Sequence, residues 1–234
     1  MRTIGLIGGM SWESTASYYR VINEAVRARL GGLHSARLVL HSVDFAEVAA
    51  LQRAEDWAGA ARLLGDAGRG LAAAGAGLLV ICTNTMHLVA DAVADAAGVP
   101  VLHIGDTTAD ALKAAGHRTV GLLGTRFTME RPFYRERLQQ RHGLEVLVPD
   151  DAGMDNVHRI IFDELCVGEV REDSRARYRA VMDDLVARGA TAIVLGCTEI
   201  SMLVGEHDAS VPLFDTMRLH AEAAADWWMQ DACA

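Results

Sequence analysis

Lysine is nearly missing from this sequence. Lys113 is the single lysine among 22 basic residues, the rest being arginine. A pyridoxal phosphate enzyme needs a lysine for its Schiff base. Lys113 lies in Asp110-Ala-Leu-Lys-Ala-Ala-Gly-His117, the end of an amphipathic helix, and reads as a solvated surface side chain, so chemistry through that cofactor is not expected. Aromatic residues make up only 6% of the chain, there is no basic run, and the net charge is −9. That balance argues against nucleic acid or an anionic membrane as partner. No apolar run approaches the length of a membrane span. The chain runs directly into a strand, and no signal peptide is expected. The four cysteines, at 82, 166, 197 and 233, lack disulfide or zinc-knuckle spacing, which suits reduced thiols in a cytosol. The nine histidines show no paired metal spacing, so no metal site is expected.

What is present is a large apolar core. With 234 residues, 51% of them hydrophobic, the chain can fill two small domains or one large one. The chain is organised around Leu78 to His87, read LLVICTNTMH. Four apolar residues run into Cys82, and Thr83, Asn84 and Thr85 follow. The pattern predicts a buried parallel strand ending at the thiol and a helix opening on Thr and Asn. A thiol there feels the positive end of the helix dipole, which favours thiolate. An inert buried cysteine fits this stretch equally well.

A second stretch separates these readings. Ala192 to Ile200, AIVLGCTEI, again carries an apolar strand into a cysteine, Cys197, followed by Thr198 and Glu199. It lies 115 positions after the first cysteine. Arg2 to Gly8 (RTIGLIG) and Arg118 to Gly124 (RTVGLLG) are offset by 116, and Val99-Pro100-Val101-Leu102 and Val211-Pro212-Leu213-Phe214 by 112. Three pairs in one order at a near-constant offset indicate an internal duplication. Two such halves facing each other would bring both thiols to one cleft.

Taken in order, strands are predicted at Thr3–Ile7, Ala36–Val43, Leu78–Ile81 and Val101–Ile104, and then at Thr119–Leu123, Glu145–Val148, Ala192–Leu195 and Val211–Phe214. The first Gly8-Gly9 loop holds Met10 and Ser11, and Ser11 or Ser14 is the candidate cap of the helix that runs to about Leu30. Its spacing fits neither a Walker loop nor the dinucleotide fingerprint. Asp44 reads as an N-cap for a helical region from Phe45 to Ala74 that contains Gln52. Helices are also expected over Asn84–Ala97, Asp106–Ala115, Met154–Cys166 and Glu172–Arg188. In the second Gly loop Thr128 is expected to cap a helix with Pro132 in its early turns. A final helix opens on Asp215 and Thr216. Apolar strands alternating with helices indicate parallel α/β sheets.

Two acid/base groups on opposite sides of a small substrate suit inversion at carbon. One base takes a proton, and an acid on the other face returns one. Cysteine serves in both roles once its pKa is lowered. The carbanion needs its carboxylate held by fixed donors, and Thr83, Asn84, Thr85, Thr198 and nearby backbone amides can supply them.

CTNTMH, GCTE and the opening IGLIGGMSWES closely resemble the aspartate/glutamate/hydantoin racemase superfamily, in its branch of broad-specificity and aspartate/glutamate racemases. The resemblance spans essentially the whole chain, including LGGLHSA, HSVDF and FDELCVG. It implies that Cys82 and Cys197 are two opposed bases, without a cofactor or metal. It places the substrate carboxylate around Thr83, Asn84 and Thr198; Thr85 and Glu199 are further substrate-binding candidates read from the sequence itself. Met10, Ser11, Gln52, Thr125 and Thr128 would line the cleft. It also implies a homodimer. Glutamate racemases proper carry Asp-Ser where this chain has Met10-Ser11, and Thr-His where it has Thr198-Glu199, so a dedicated glutamate racemase is not the expectation.

The expected architecture is two pseudo-symmetric, Rossmann-like (flavodoxin-type) α/β domains, 1–104 with 215–234 and 105–214, and a cleft at the strand carboxyl ends. The expected function is cofactor-independent, cytoplasmic amino-acid racemisation with aspartate and glutamate as default substrates. The rivals are a one-cysteine decarboxylase or isomerase of the same superfamily and a non-catalytic small-molecule binding protein. Cys166 on an amphipathic helix, His87 as a packed helix residue, and Arg126 as either an anion-attracting or a plain surface arginine complete the expectations.

Overall fold

A computed structural model describes residues 2–230 of the chain. In order, the elements are β1 (Ile4–Gly8), α1 (Trp12–Leu30), β2 (Leu38–Ser42), α2 (Phe45–Arg53), α3 (Trp57–Ala73), β3 (Leu78–Ile81), α4 (Ala90–Ala97), β4 (Val101–Leu102) and α5 (Ile104–Ala114). They continue with β5 (Thr119–Leu123), α6 (Arg126–Glu130), α7 (Pro132–Glu136), β6 (Glu145–Leu147), α8 (Asp151–Asp163), α9 (Glu172–Ala187), β7 (Ile193–Leu195), α10 (Ile200–Leu203), β8 (Leu213–Asp215) and α11 (Thr216–Met229). The chain divides into two compact units. The first takes the chain up to Ile104 and from His220 onward, and the second takes Gly105–Leu219.

Each unit holds one four-stranded sheet, ordered β2-β1-β3-β4 in the first and β6-β5-β7-β8 in the second. Every pairing is parallel. The identical order is the structural counterpart of the sequence repeat. The central strands β1 and β3 are buried throughout because helices cover both faces, which is why they read as unbroken apolar runs. The edge strand β2 is half-buried to exposed.

The glycine shared by the two repeats has a packing role. A Cβ on Gly5 would lie 2.8 Å from Ala76 Cβ, and one on Gly121 would lie 2.6 Å from Ile193 Cδ1 and 2.9 Å from Leu185 Cδ1. Only a missing side chain lets these neighbours approach the first strand of each unit so closely. The core of the first unit gathers Ile7, Leu64, Leu71, Leu79, Ile81 and Val93, and that of the second gathers Leu123, Val157, Ile160, Tyr178, Leu185 and Ile193.

Several boundaries differ from expectation, each for a local reason. The region from Phe45 to Ala74 breaks after Arg53. Glu55 takes a positive φ of 52° there, and the Asp56 side chain accepts from the Gly59 N–H at 2.7 Å, opening α3. The helix expected to open at Asn84 begins instead as a 3-10 turn, Thr85–Val89, before α4. Thr125, not Thr128, occupies the cap position of α6, and Pro132 is the first residue of a separate α7. The helix expected over Met154–Cys166 starts at Asp151, capped by Asp150, and stops at Asp163. Cys166 therefore lies on its own 3-10 turn and is exposed.

Candidate active site

In the first unit the loop after β1 and the junction after β3 meet. Ser11 caps α1, its Oγ accepting from the Ser14 N–H at 3.2 Å. The Ser14 hydroxyl in turn donates to the Cys82 carbonyl at 3.4 Å. Thr15 donates to the Ser11 carbonyl and accepts from the Gly9 N–H. Gly9 itself sits at φ 92°, and a Cβ there would strike the Val43 carbonyl at 2.2 Å, so the turn requires glycine. Met10 is buried in the core. Gln52 on α2 reaches Met86 Sδ with its Nε2 at 3.0 Å, which ties α2 to the turn that follows Cys82. Thr83 and Thr85 are half-buried and Asn84 is buried. Met10, Ser11, Gln52 and the Cys82–Thr85 segment thus belong to one end of one sheet, reached through three different strand-to-helix connections.

A histidine cluster backs this junction. His87 donates from Nδ1 to the Thr83 carbonyl at 2.8 Å. Its ring stands 4.7 Å from that of His103 and 5.3 Å from that of His220, centroid to centroid. His220 Nε2 lies 2.9 Å from the Leu102 carbonyl and Nδ1 lies 2.8 Å from the Tyr18 hydroxyl. A carbonyl only accepts, so Nε2 carries the proton and Nδ1 accepts from Tyr18. Burial, with the neighbouring His87, pushes the His220 pKa down to about 3, and the ring is neutral near pH 7. His87 is the packed, hydrogen-bonded residue that the sequence suggests. His103, His220 and Tyr18 gave no sequence signal as a group, because they come from three distant segments.

In the second unit the equivalent junction follows β7. Gly196 donates its N–H to the Leu123 carbonyl at 2.6 Å, which joins the Cys197 turn to the end of β5. Thr125 and Thr128 are buried, their hydroxyl oxygens 3.4 Å apart. Thr128 is fully enclosed, and Gly124 and Gly196 leave room for its methyl group. The Cys197 thiol donates to Glu199 Oε2 at 2.9 Å, and the Thr198 hydroxyl donates to the same oxygen at 2.7 Å. All three residues are half-buried.

Neither thiol is tuned as the helix dipole alone suggests. Cys82 is fully buried, and burial holds its pKa far above the ordinary thiol range. The short 3-10 turn that follows it gives a weaker field than the expected helix, and desolvation wins. The Cys197 pKa is also raised, first by burial and then by the Glu199 carboxylate, while a hydrogen bond from the Glu199 N–H opposes the shift. Both cysteines rest as thiols.

The remaining candidates resolve simply. Arg126 pairs with Glu130 and Asp155 and lies 3.7 Å from Asp151, so its charge is already matched. Lys113 is exposed, 3.2 Å from Asp110 and 3.1 Å from His142 Nδ1. Among the described residues no group of three or more His, Cys, Asp or Glu side chains could hold a metal ion. Among them no helix is long and apolar enough to cross a membrane.

The fold and these junctions define a class: a duplicated α/β protein with a Cys-Thr pair at the carboxyl end of the equivalent strand in each half. The family model described as Asp/Glu/Hydantoin racemase matches residues 7–224. A candidate Asp/Glu racemase from Yersinia pestis is 55% identical over 98% of this chain and all of that one, with a TM-score of 0.95. An aspartate racemase homologue from Pyrococcus horikoshii OT3 is 34% identical over 97% of this chain and 99% of the other, TM-score 0.86. The Picrophilus torridus aspartate racemase shares the fold, with a TM-score of 0.74 at 20% identity over all of this chain and 95% of its own. The chain belongs to the Asp/Glu/Hydantoin racemase family.

Proposed function

We propose that this protein interconverts the enantiomers of an amino acid without pyridoxal phosphate, with Cys82 and Cys197 as the two acid/base groups at the α-carbon. The observation that carries the reading is the pair of thiols. Each closes the equivalent strand of its own four-stranded sheet, and each is followed by Thr. Aspartate and glutamate are the default substrates, in keeping with the names of the two most similar structures above, and broad specificity is tested alongside them.

The chemistry follows from the resting state. A raised thiol pKa keeps each cysteine protonated, so each has a proton to return to a carbanion, and each becomes a base only when its proton has somewhere to go. Thr83, Asn84, Thr85 and Thr198 are the proposed donors to the substrate carboxylate. Met10, Ser11, Gln52, Thr125 and Thr128 are the proposed lining of the cleft. The proposal extends to a cytoplasmic homodimer, whose dimeric state gel filtration with light scattering tests directly.

The deciding experiment incubates the purified chain with a panel of L- and D-amino acids in deuterated water and follows loss of the α-proton by NMR. Exchange and inversion of aspartate or glutamate are expected without added cofactor and after dialysis against a chelator. Inversion of no amino acid would overturn the reading, and restoration only by a cofactor or metal would overturn its mechanism. Replacing either Cys82 or Cys197 by Ser should lower racemisation at least a thousandfold with the fold intact by circular dichroism.

A further inference from the structure

The second thiol differs from the first in having a carboxylate within hydrogen-bond distance. Glu199 Oε2 receives two donors, the Cys197 Sγ–H at 2.9 Å and the Thr198 O–H at 2.7 Å. The carboxylate is thereby placed as an acceptor for the thiol proton. The titratable neighbours coupled to this thiol through charge are Glu199, Cys166 and Tyr178, and none of them favours a bare thiolate. Releasing the thiol proton to solvent would leave thiolate and carboxylate side by side in a poorly solvated place, where like charges resist ionising together.

We infer that Glu199 is the proton acceptor for Cys197, a positioning residue that lets thiol and carboxylate share one proton and one negative charge, rather than a binding group for the substrate. In the step proposed, the Sγ–H bond breaks and an O–H bond forms on Glu199 Oε2, the electron pair staying on sulfur. The thiolate then takes the substrate's α-hydrogen as a proton, and the Cα–H pair remains on the substrate as a carbanion. In reverse, the thiol gives its proton to the carbanion, and the protonated Glu199 hydrogen-bonds the thiolate that remains. At each stage the pair carries no more than one negative charge. Before substrate binds, the Thr198 hydroxyl donates to this carboxylate, and that one donor turns to the substrate carboxylate on binding. The shared proton stands on the geometry alone, and its part in catalysis rests on the function proposed above.

A shared proton has a distinctive pH signature. Between the two apparent pKa values of the pair, the fraction present as thiolate with protonated carboxyl does not change with pH. A thiol that loses its proton to solvent instead gains thiolate tenfold per pH unit below its pKa. The test is the rate of iodoacetamide alkylation of Cys197 in the intact wild-type chain, read from the Cys197 peptide by mass spectrometry between pH 6 and 8. The expected rate is flat, within about twofold, in wild type and rises about tenfold per pH unit in Glu199→Gln, which can accept the thiol hydrogen bond but not the proton. A tenfold rise per unit in wild type overturns the inference without reference to any variant. This readout needs no catalysis, so a flat profile in a chain that racemises nothing would sustain the proton pair while overturning the racemase reading. In a racemising chain, exchange of the enantiomer that depends on Cys197 should fall at least a hundredfold in Glu199→Gln and acquire the same pH slope. An unchanged rate and profile would remove Glu199 from the mechanism.

Discussion

At the scale of single residues, the two thiols differ in their surroundings more than the sequence suggests. Cys82 is fully buried and hydrogen-bonds only weakly through sulfur, to the Val80 carbonyl at 3.8 Å. Cys197 is half-buried with a carboxylate beside it, and Cys166 is exposed. Burial slows alkylation by limiting access and by withholding thiolate. At pH 7.5 Cys82 should therefore react with iodoacetamide at least about a hundredfold more slowly than the exposed Cys166. Peptide mass spectrometry over a time course checks the order, and a Cys82 that reacts as fast as Cys166 would show that its burial is not maintained in solution. Which residues end the strands was legible in the sequence, since apolar runs stopping at Cys-Thr leave little choice. The protonation states were not. They depend on what packs against each sulfur, and a sequence shows only what precedes and follows it.

At the scale of elements, the repeated glycine in the first strand of each half makes a comparison possible. Adding a methyl group at Gly5 drives it into Ala76 Cβ, which cannot rotate away. At Gly121 the nearest atom is the tip of Ile193, which can adopt another rotamer. Overpacking costs about 1–3 kcal/mol in a tight core. Gly5→Ala should lie at the upper end of that range and Gly121→Ala at the lower, as read from urea midpoints. The reverse order would mean that the backbone around β1 yields more readily than its neighbours suggest. Helix α11 supplies a second test. His220 is held neutral between Tyr18 and the Leu102 carbonyl, with a pKa of about 3 against about 6.5 in the unfolded chain. A pKa depressed on folding means that this residue's contribution to stability is full above pH 6.5. It is lost progressively as pH falls toward 3, by up to about 1.4 kcal/mol per pH unit. The thermal midpoint should fall between pH 6.5 and 4, and His220→Gln should lose part of that slope. The same slope in the variant would assign the acid loss to other groups. The sequence showed none of this, because Tyr18, Leu102 and His220 are brought together only by the tertiary fold.

At the scale of the whole molecule, the duplication organises the fold and, in the function proposed, the pair of acid/base groups. The equivalent place of the two cysteines follows from three short repeats at nearly one offset, and the identical strand order of the two sheets agrees with them. What the repeat does not encode is asymmetry. Asn84 and a histidine cluster follow the first cysteine, and Glu199 follows the second. If each thiol serves one face of the substrate, this asymmetry should separate the two enantiomers kinetically. A base removes the α-proton from its own side, and the product receives a proton from the other thiol, which has equilibrated with solvent. In deuterated water, product formed from either enantiomer should carry deuterium from the first turnover. The starting enantiomer should exchange more slowly, because return from the same thiol restores the original proton until that thiol equilibrates. Removing one thiol stops inversion, but the surviving base can still exchange the α-proton of the enantiomer that faces it. Cys82→Ser and Cys197→Ser should therefore show opposite enantiomer preferences in α-proton exchange, measured by NMR with L- and D-aspartate separately. Equal residual exchange of the same enantiomer by both variants would refute the two-base assignment even if each thiol proved essential to turnover.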